Sequence, residues 1–112
     1  MNIIDALRAA EIDTPHKVSA RKLLDSEHAQ AIMITLEPGE KLRRHITPVD
    51  VFFFVLEGTG IVEIGDEQET VSANMLIESP AGIVHRLLNE GQETFRFLVV
   101  KTPRPTTKTQ LL

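Results

Sequence analysis

The stretch KLRRHITPVDVFFFVLEGTG, residues 41–60, carries the densest strand signal in the chain. Val51 to Val55 is an unbroken β-branched and aromatic run, and Gly58 ends it. Successive side chains of a strand point to opposite faces, so Phe53 shares a face with Val51 and Val55. That face reads as core. Phe52 and Phe54 lie on the other face and need cover too, from a second sheet or from another subunit. One histidine, His45, stands just ahead of the run, with Thr47 two residues on.

Outward from this strand the pattern keeps its period of two. Upstream, AQAIMITLEPG alternates Ile32, Ile34 and Leu36 with Met33 and Thr35 until Pro38-Gly39 closes it. Downstream, IVEIG runs into Gly65-Asp66, which suits a tight hairpin with glycine at its first central position. Residues 68–72 and 75–78 are two further short runs, and Ser79-Pro80-Ala81-Gly82 is a tight turn. IVHRLLN and TFRFLVV follow, with Phe95, Phe97 and Val99 on one face and Arg96 on the other. Many short strands with frequent Gly and Pro predict an all-β fold, an antiparallel sandwich or barrel. Only the ends break the pattern. NIIDALRAA, residues 2–10, predicts a short helix capped by Asn2, with Ile3, Ile4 and Leu7 on one stripe and Asp13-Thr14-Pro15 as its stop. TPRPTTKTQLL reads as a loose tail. The expected organisation is one domain over residues 1–101 and a flexible tail over 102–112.

A chain of 112 residues has room for one core, and 42% hydrophobic with 25% charged residues is ordinary for a globular domain. The net charge of −4 gives no field to attract nucleic acid or an anionic membrane. With no cysteine, disulfides, thiolate metal sites and a cysteine nucleophile are excluded. No serine sits in a Gly-x-Ser-x-Gly turn, there is no glycine-rich phosphate loop, and neither Trp nor Tyr is present for base stacking. The start, MNIIDALRAAEID, lacks the basic and long apolar regions of a signal peptide, and no window approaches a membrane span. A cytoplasmic protein with no nucleic-acid or membrane partner is expected.

Two histidine segments carry the functional information. The first runs Gly39, five residues, His45-Ile46-Thr47, Pro48-Val49-Asp50, Val51, six residues, Gly58. The second runs Asn74, five residues, Pro80-Ala81-Gly82, two residues, His85, three residues, Asn89. Together they resemble the two motifs of the cupins, small barrels of the jelly-roll class built as a double-stranded β-helix. The first cupin motif has glycine, five residues, His-x-His, three or four residues, glutamate, six residues and glycine. The second has glycine, five residues, Pro-x-Gly, two residues, histidine, three residues and asparagine. The separation of 15 residues between Gly58 and Asn74 suits a compact member. The resemblance implies a cupin-type barrel in which strands bearing His45 and His85 are neighbours with both rings inside.

In metal-binding cupins the ligands are the two histidines and the glutamate of the first motif, with the histidine of the second. His45 and His85 match, whereas Thr47 and Val51 stand in place of the second histidine and the glutamate. Threonine is a weak neutral donor and valine is none. The resemblance therefore leaves two outcomes: one divalent transition metal (Fe, Mn, Ni or Zn) held weakly by His45 and His85, or no metal. Asp50, beside the vacant glutamate position, completes such a site only if a bulge after Pro48 turns it inward. The expected pocket is His45, Thr47, His85 and Asn89. Arg43 shares the parity of His45 and either joins the pocket, where it would bind a carboxylate or phosphate, or belongs to a solvated rim with Lys41 and Arg44. Three functions fit: a module binding a small polar or anionic ligand; a metal-dependent oxygenase or isomerase using His45 and His85; or an accessory protein with a vestigial pocket. The resemblance also implies a homodimer, since small cupins commonly pair through a sheet face or edge.

Overall fold

The run read as the main strand is β4 (Asp50–Glu57) of the computed structural model, which describes residues 1–112. Its register follows the alternation: Val51, Phe53 and Val55 are buried, and Phe52 and Phe54 are half-buried on the other side. β4 pairs with β9 (Phe95–Thr102) and β7 (Leu76–Ser79). β9 pairs in turn with β2 (Gln30–Leu36), and β1 (Ser19–Asp25) closes the edge. The second sheet runs in the order β10 (Gln110–Leu111), β3 (His45–Ile46), β8 (His85–Leu88), β5 (Thr59–Ile64) and β6 (Glu67–Ser72). All pairings are antiparallel.

The inward residues of both sheets form one core. Phe53, Phe95 and Phe97 lie at its centre beside Leu36, Val62 and Leu87. Burying each such side chain stabilises the fold by about 1.5–3 kcal/mol. Phe53 meets Phe97 edge to face, with centroids 6.2 Å apart.

Two turn positions explain residues quoted above. Gly58 has φ +81° next to a bulge in the β4–β9 pairing, and a Cβ there would drive into the Thr94 carbonyl. Asn74, where the cupin pattern has glycine, also adopts a positive φ of 74°. Asparagine tolerates that left-handed conformation better than most residues, so the substitution keeps the turn.

The ends of the chain differ from expectation. No helix forms over residues 2–10. A single turn remains, in which the Arg8 N–H donates to the Asp5 carbonyl and the Leu7 N–H to Asp5 Oδ1. Ile3, Ile4 and Leu7 are exposed, so the apolar stripe has no surface to pack on. A helix of that length does not hold without one. The segment expected as a loose tail returns to the barrel: Leu111 pairs with His45 and Gln110 with Ile46. No helix is long and apolar enough to cross a membrane.

Candidate functional site

β3 and β8 bring His45 and His85 directly opposite each other, with ring centroids 4.5 Å apart. The two residues are 7% and 2% exposed. A third imidazole joins them. His16, on the segment leading into β1, packs edge to face on His45 at 4.8 Å. The backbone of Arg43 joins the two: its N–H donates to His16 Nδ1 at 2.8 Å, and its carbonyl accepts from His45 Nδ1 at 2.7 Å. A carbonyl can only accept and an amide can only donate, so the tautomers are set. His16 carries its proton on Nε2, and His45 presents an unprotonated Nε2.

His85 lies deeper, between two hydroxyls, with Ser79 Oγ 2.6 Å from Nδ1 and Thr47 Oγ1 3.2 Å from Nε2. Its ring also packs on Phe53 at 5.3 Å. Burial holds the imidazoles neutral. The pKa of His85 is pushed down to about 3 by burial, then by His45, Lys101 and His16. That of His16 falls to about 4, by burial and then by His45, Arg43 and Lys101. His45 is lowered by burial, against the opposing effect of its bond to the Arg43 carbonyl.

The fourth group is Lys101. On β9 the inward positions are Phe95, Phe97 and Val99, and the next in the series is Lys101. Its cross-strand partner on β4 is Val51. Burial lowers its pKa from 10.5, and it forms no ion pair or side-chain hydrogen bond. His16, His45, Thr47 and Lys101 all line one cavity of about 190 Å³, with Ile32, Ile34, Phe53 and Val99 on its apolar side. Thr109, just before β10, closes part of the wall.

The remaining expected residues lie elsewhere. Arg43 touches the site through its backbone; its side chain is exposed on the outer rim with Lys41 and Arg44 and reaches His16 only as a charge. Asp50 does not turn inward. It is exposed, and its Oδ1 accepts the Ala81 N–H at 2.9 Å, tying the first motif to the Pro-x-Gly turn. The Gly82 N–H reinforces this by donating to the Thr47 carbonyl at 3.0 Å. Asn89 is 1% exposed but works as a latch beyond the end of β8. Its amide donates to the carbonyls of Leu36 and Glu93 at 2.9 and 2.8 Å, and its Oδ1 accepts from the Gly91 N–H.

Two antiparallel sheets with His45 and His85 on neighbouring strands are the architecture of a cupin barrel, and sequence comparison agrees: the profile of the Cupin_2 family, a cupin domain, matches residues 32–101. The chain belongs to the cupin family. The TT1209 protein of Thermus thermophilus is 31% identical to this cupin, covering 94% of it and 100% of that chain with a TM-score of 0.81. A double-stranded β-helix protein of Klebsiella pneumoniae is 18% identical over 99% of this chain and 96% of its own, with a TM-score of 0.84. The polyketide cyclase RemF of Streptomyces resistomycificus is 21% identical over 100% and 85%, with a TM-score of 0.86. The last two establish a shared fold alone. Among curated proteins none matches.

The donor set of this cupin does not fit a divalent metal. Both ring nitrogens of His85 are taken by hydroxyls, and His45 Nδ1 by a carbonyl. Val51 replaces the carboxylate, Asp50 is outside, and an ammonium faces Val51 across the sheet. No group of three or more His, Asp or Glu side chains is placed to hold an ion. Catalytic zinc and non-haem iron sites use three protein ligands.

Proposed function

We propose that this cupin binds one small anionic molecule, without catalysis, in the cavity between its two sheets. The observation that carries the reading is the unpaired Lys101 side chain on the cavity wall. A half-buried charge gains from a counter-charge, and the one carboxylate lining this cavity, Asp13, is exposed at its edge and forms no ion pair with Lys101. The His16 Nε2–H adds a donor on the same wall. The volume, about 190 Å³, lies below the range of drug-sized sites. A short carboxylic acid with a small apolar body suits these walls: carboxylate to Lys101, hydrocarbon to Ile32, Ile34 and Phe53.

Thermal unfolding in the presence of short-chain carboxylates, their neutral amides and inorganic phosphate tests the reading. At ten times Kd, binding to the folded state alone adds about 1.4 kcal/mol, a rise of roughly 5–10 °C for a domain of this size. The expected result is a rise with a carboxylate, none with its amide, and loss of the effect in Lys101→Met. No response to any anion, or equal responses to acid and amide, would overturn it. The competing reading is a metal-dependent cupin enzyme. Near-stoichiometric metal in the purified chain that disappears in a His45→Ala, His85→Ala double variant would favour it.

A further inference from the structure

We propose that Lys101 is the resident cation of this cupin pocket, and that facing Val51 it bars divalent metal from the position where the family's pattern places a metal-binding carboxylate. The inference concerns the charge built into the pocket and holds whether or not the ligand is a carboxylate.

The argument starts from strand register. Val51 of β4 and Lys101 of β9 are direct antiparallel partners. Residues directly opposite have Cβ atoms about 4.5–5.5 Å apart and project to the same face. Val51 is 4% exposed, so that face is the inward one, and Lys101 continues the inward series of Phe95, Phe97 and Val99. Where the pattern calls for an anion there is a neutral valine, and beside it stands a cation. Without the lysine, His45 Nε2 would offer an arriving cation one free lone pair, with the neutral rings of His16 and His85 as neighbours at 4.8 and 4.5 Å. With it, an arriving ion of charge +2 would share the cavity with a charge of +1, which repels it.

Lys101 also has no polar partner within the chain. No carboxylate pairs with it, and no carbonyl or hydroxyl accepts from it. Its aliphatic stem adds little to a core already filled by Phe95, Phe97 and Val99.

The test is Zn²⁺ and Co²⁺ binding by calorimetry and by Co²⁺ absorption, with no organic ligand present. Wild type and Lys101→Met are compared first, because the substitution keeps length and apolarity. The variant is expected to bind Zn²⁺ at least about tenfold more tightly than wild type. Family ligands are then restored by Thr47→His with Val51→Glu, on both backgrounds. With Lys101 retained, the new carboxylate is expected to pair with its ammonium and metal affinity to stay low. Adding Lys101→Met should raise it about a hundredfold. Equal affinities in the first comparison overturn the proposal, as does tight binding by the double variant with Lys101 intact. If the restored variants fail to fold by circular dichroism, the first comparison decides alone. Anion-dependent stabilisation is read separately, so either idea can fail without the other.

Discussion

His16 and His45 come from segments 29 residues apart in sequence, yet the two peptide groups of Arg43 hold both rings. One amide donates to the first ring and one carbonyl accepts from the second. The loop segment before β1 is thereby fastened to β3, and one wall of the pocket is set. Replacing His16 by leucine keeps the bulk and removes the acceptor for the Arg43 N–H. A loss of about 1–2 kcal/mol is expected in urea unfolding, with an unchanged m-value. Full retention of stability would mean that the bond contributes nothing in solution.

His85 is held by Ser79 at 2.6 Å and by Thr47 at 3.2 Å, with all three side chains buried. Ser79→Ala strands a buried ring nitrogen and should cost about 1–3 kcal/mol. In a His85→Leu background the same change should cost much less, because nothing polar is left unpaired. A double-mutant cycle with additive effects would argue against the pair.

Acid stability follows from the imidazoles. His85 and His16 titrate near 3 and 4 in the folded protein against 6.5 ordinarily, chiefly because burial penalises their charged forms. The unfolded chain therefore binds more protons below pH 6.5. Stability is complete above 6.5 and falls as the pH drops from 6.5 toward 4 for His16 and toward 3 for His85, by at most about 1.4 kcal/mol per pH unit for each histidine. The more accessible His16 contributes less than that ceiling. Denaturant midpoints at pH 7.5 and pH 5.0 should differ clearly, and a flat profile would show the rings free to protonate in place.

Asn89 separates architecture from binding. Its side chain makes three hydrogen bonds to backbone around the 36–40 and 89–93 turns, and none to the cavity. Asn89→Ala should destabilise by about 2–4 kcal/mol while the remaining folded protein keeps its thermal response to carboxylate. Loss of that response at unchanged stability would put Asn89 back in the pocket.

A second copy of the chain is expected on the outer face of the first sheet. Phe52 and Phe54 of β4, Leu98 and Val100 of β9 are half-buried there, and Leu76 of β7 is 54% exposed. Sedimentation velocity at micromolar concentration should give a dimer, and Phe54→Glu should return it to monomer. A monomeric wild type would leave this face without a partner.

What the sequence revealed depended on whether a residue's role was local or long-range. Period-two runs and Gly/Pro turns located β2, β4, β8 and β9 because both signals act within a few residues, and the spacing around His45 and His85 led to the barrel. The stripe Ile3, Ile4, Leu7 misled, since a helix needs a surface to pack on and the fold offers none. β1, with the mixed stretch SARKLLD, is a strand by virtue of its pairing with β2. His16 was invisible because its partner is 27 residues away in a loop. Lys101 was legible in principle: it keeps parity with Phe95, Phe97 and Val99, but a lysine at the start of a proline-rich stretch resembles a domain boundary. Asp50 and Asn89 were placed at the site by their positions in the two motifs, while the turns on either side claim their side chains.

The walls of the pocket differ in how firmly they are anchored. β4 and β9 hold their side by a full ladder, whereas the other side depends on residues 12–16 and 109–111. Those segments are attached by a few backbone contacts: Ile12 to Ala20, Leu111 and Gln110 to β3, and Leu112 to Arg44. Opening there exposes little core, so it requires far less free energy than global unfolding. Amide exchange at these flanks should therefore outpace exchange in β4 and β9, and a bound ligand should slow it. Entry into the pocket becomes a matter of sub-global fraying at the flanks, with exchange rates there reporting occupancy while the barrel stays shut.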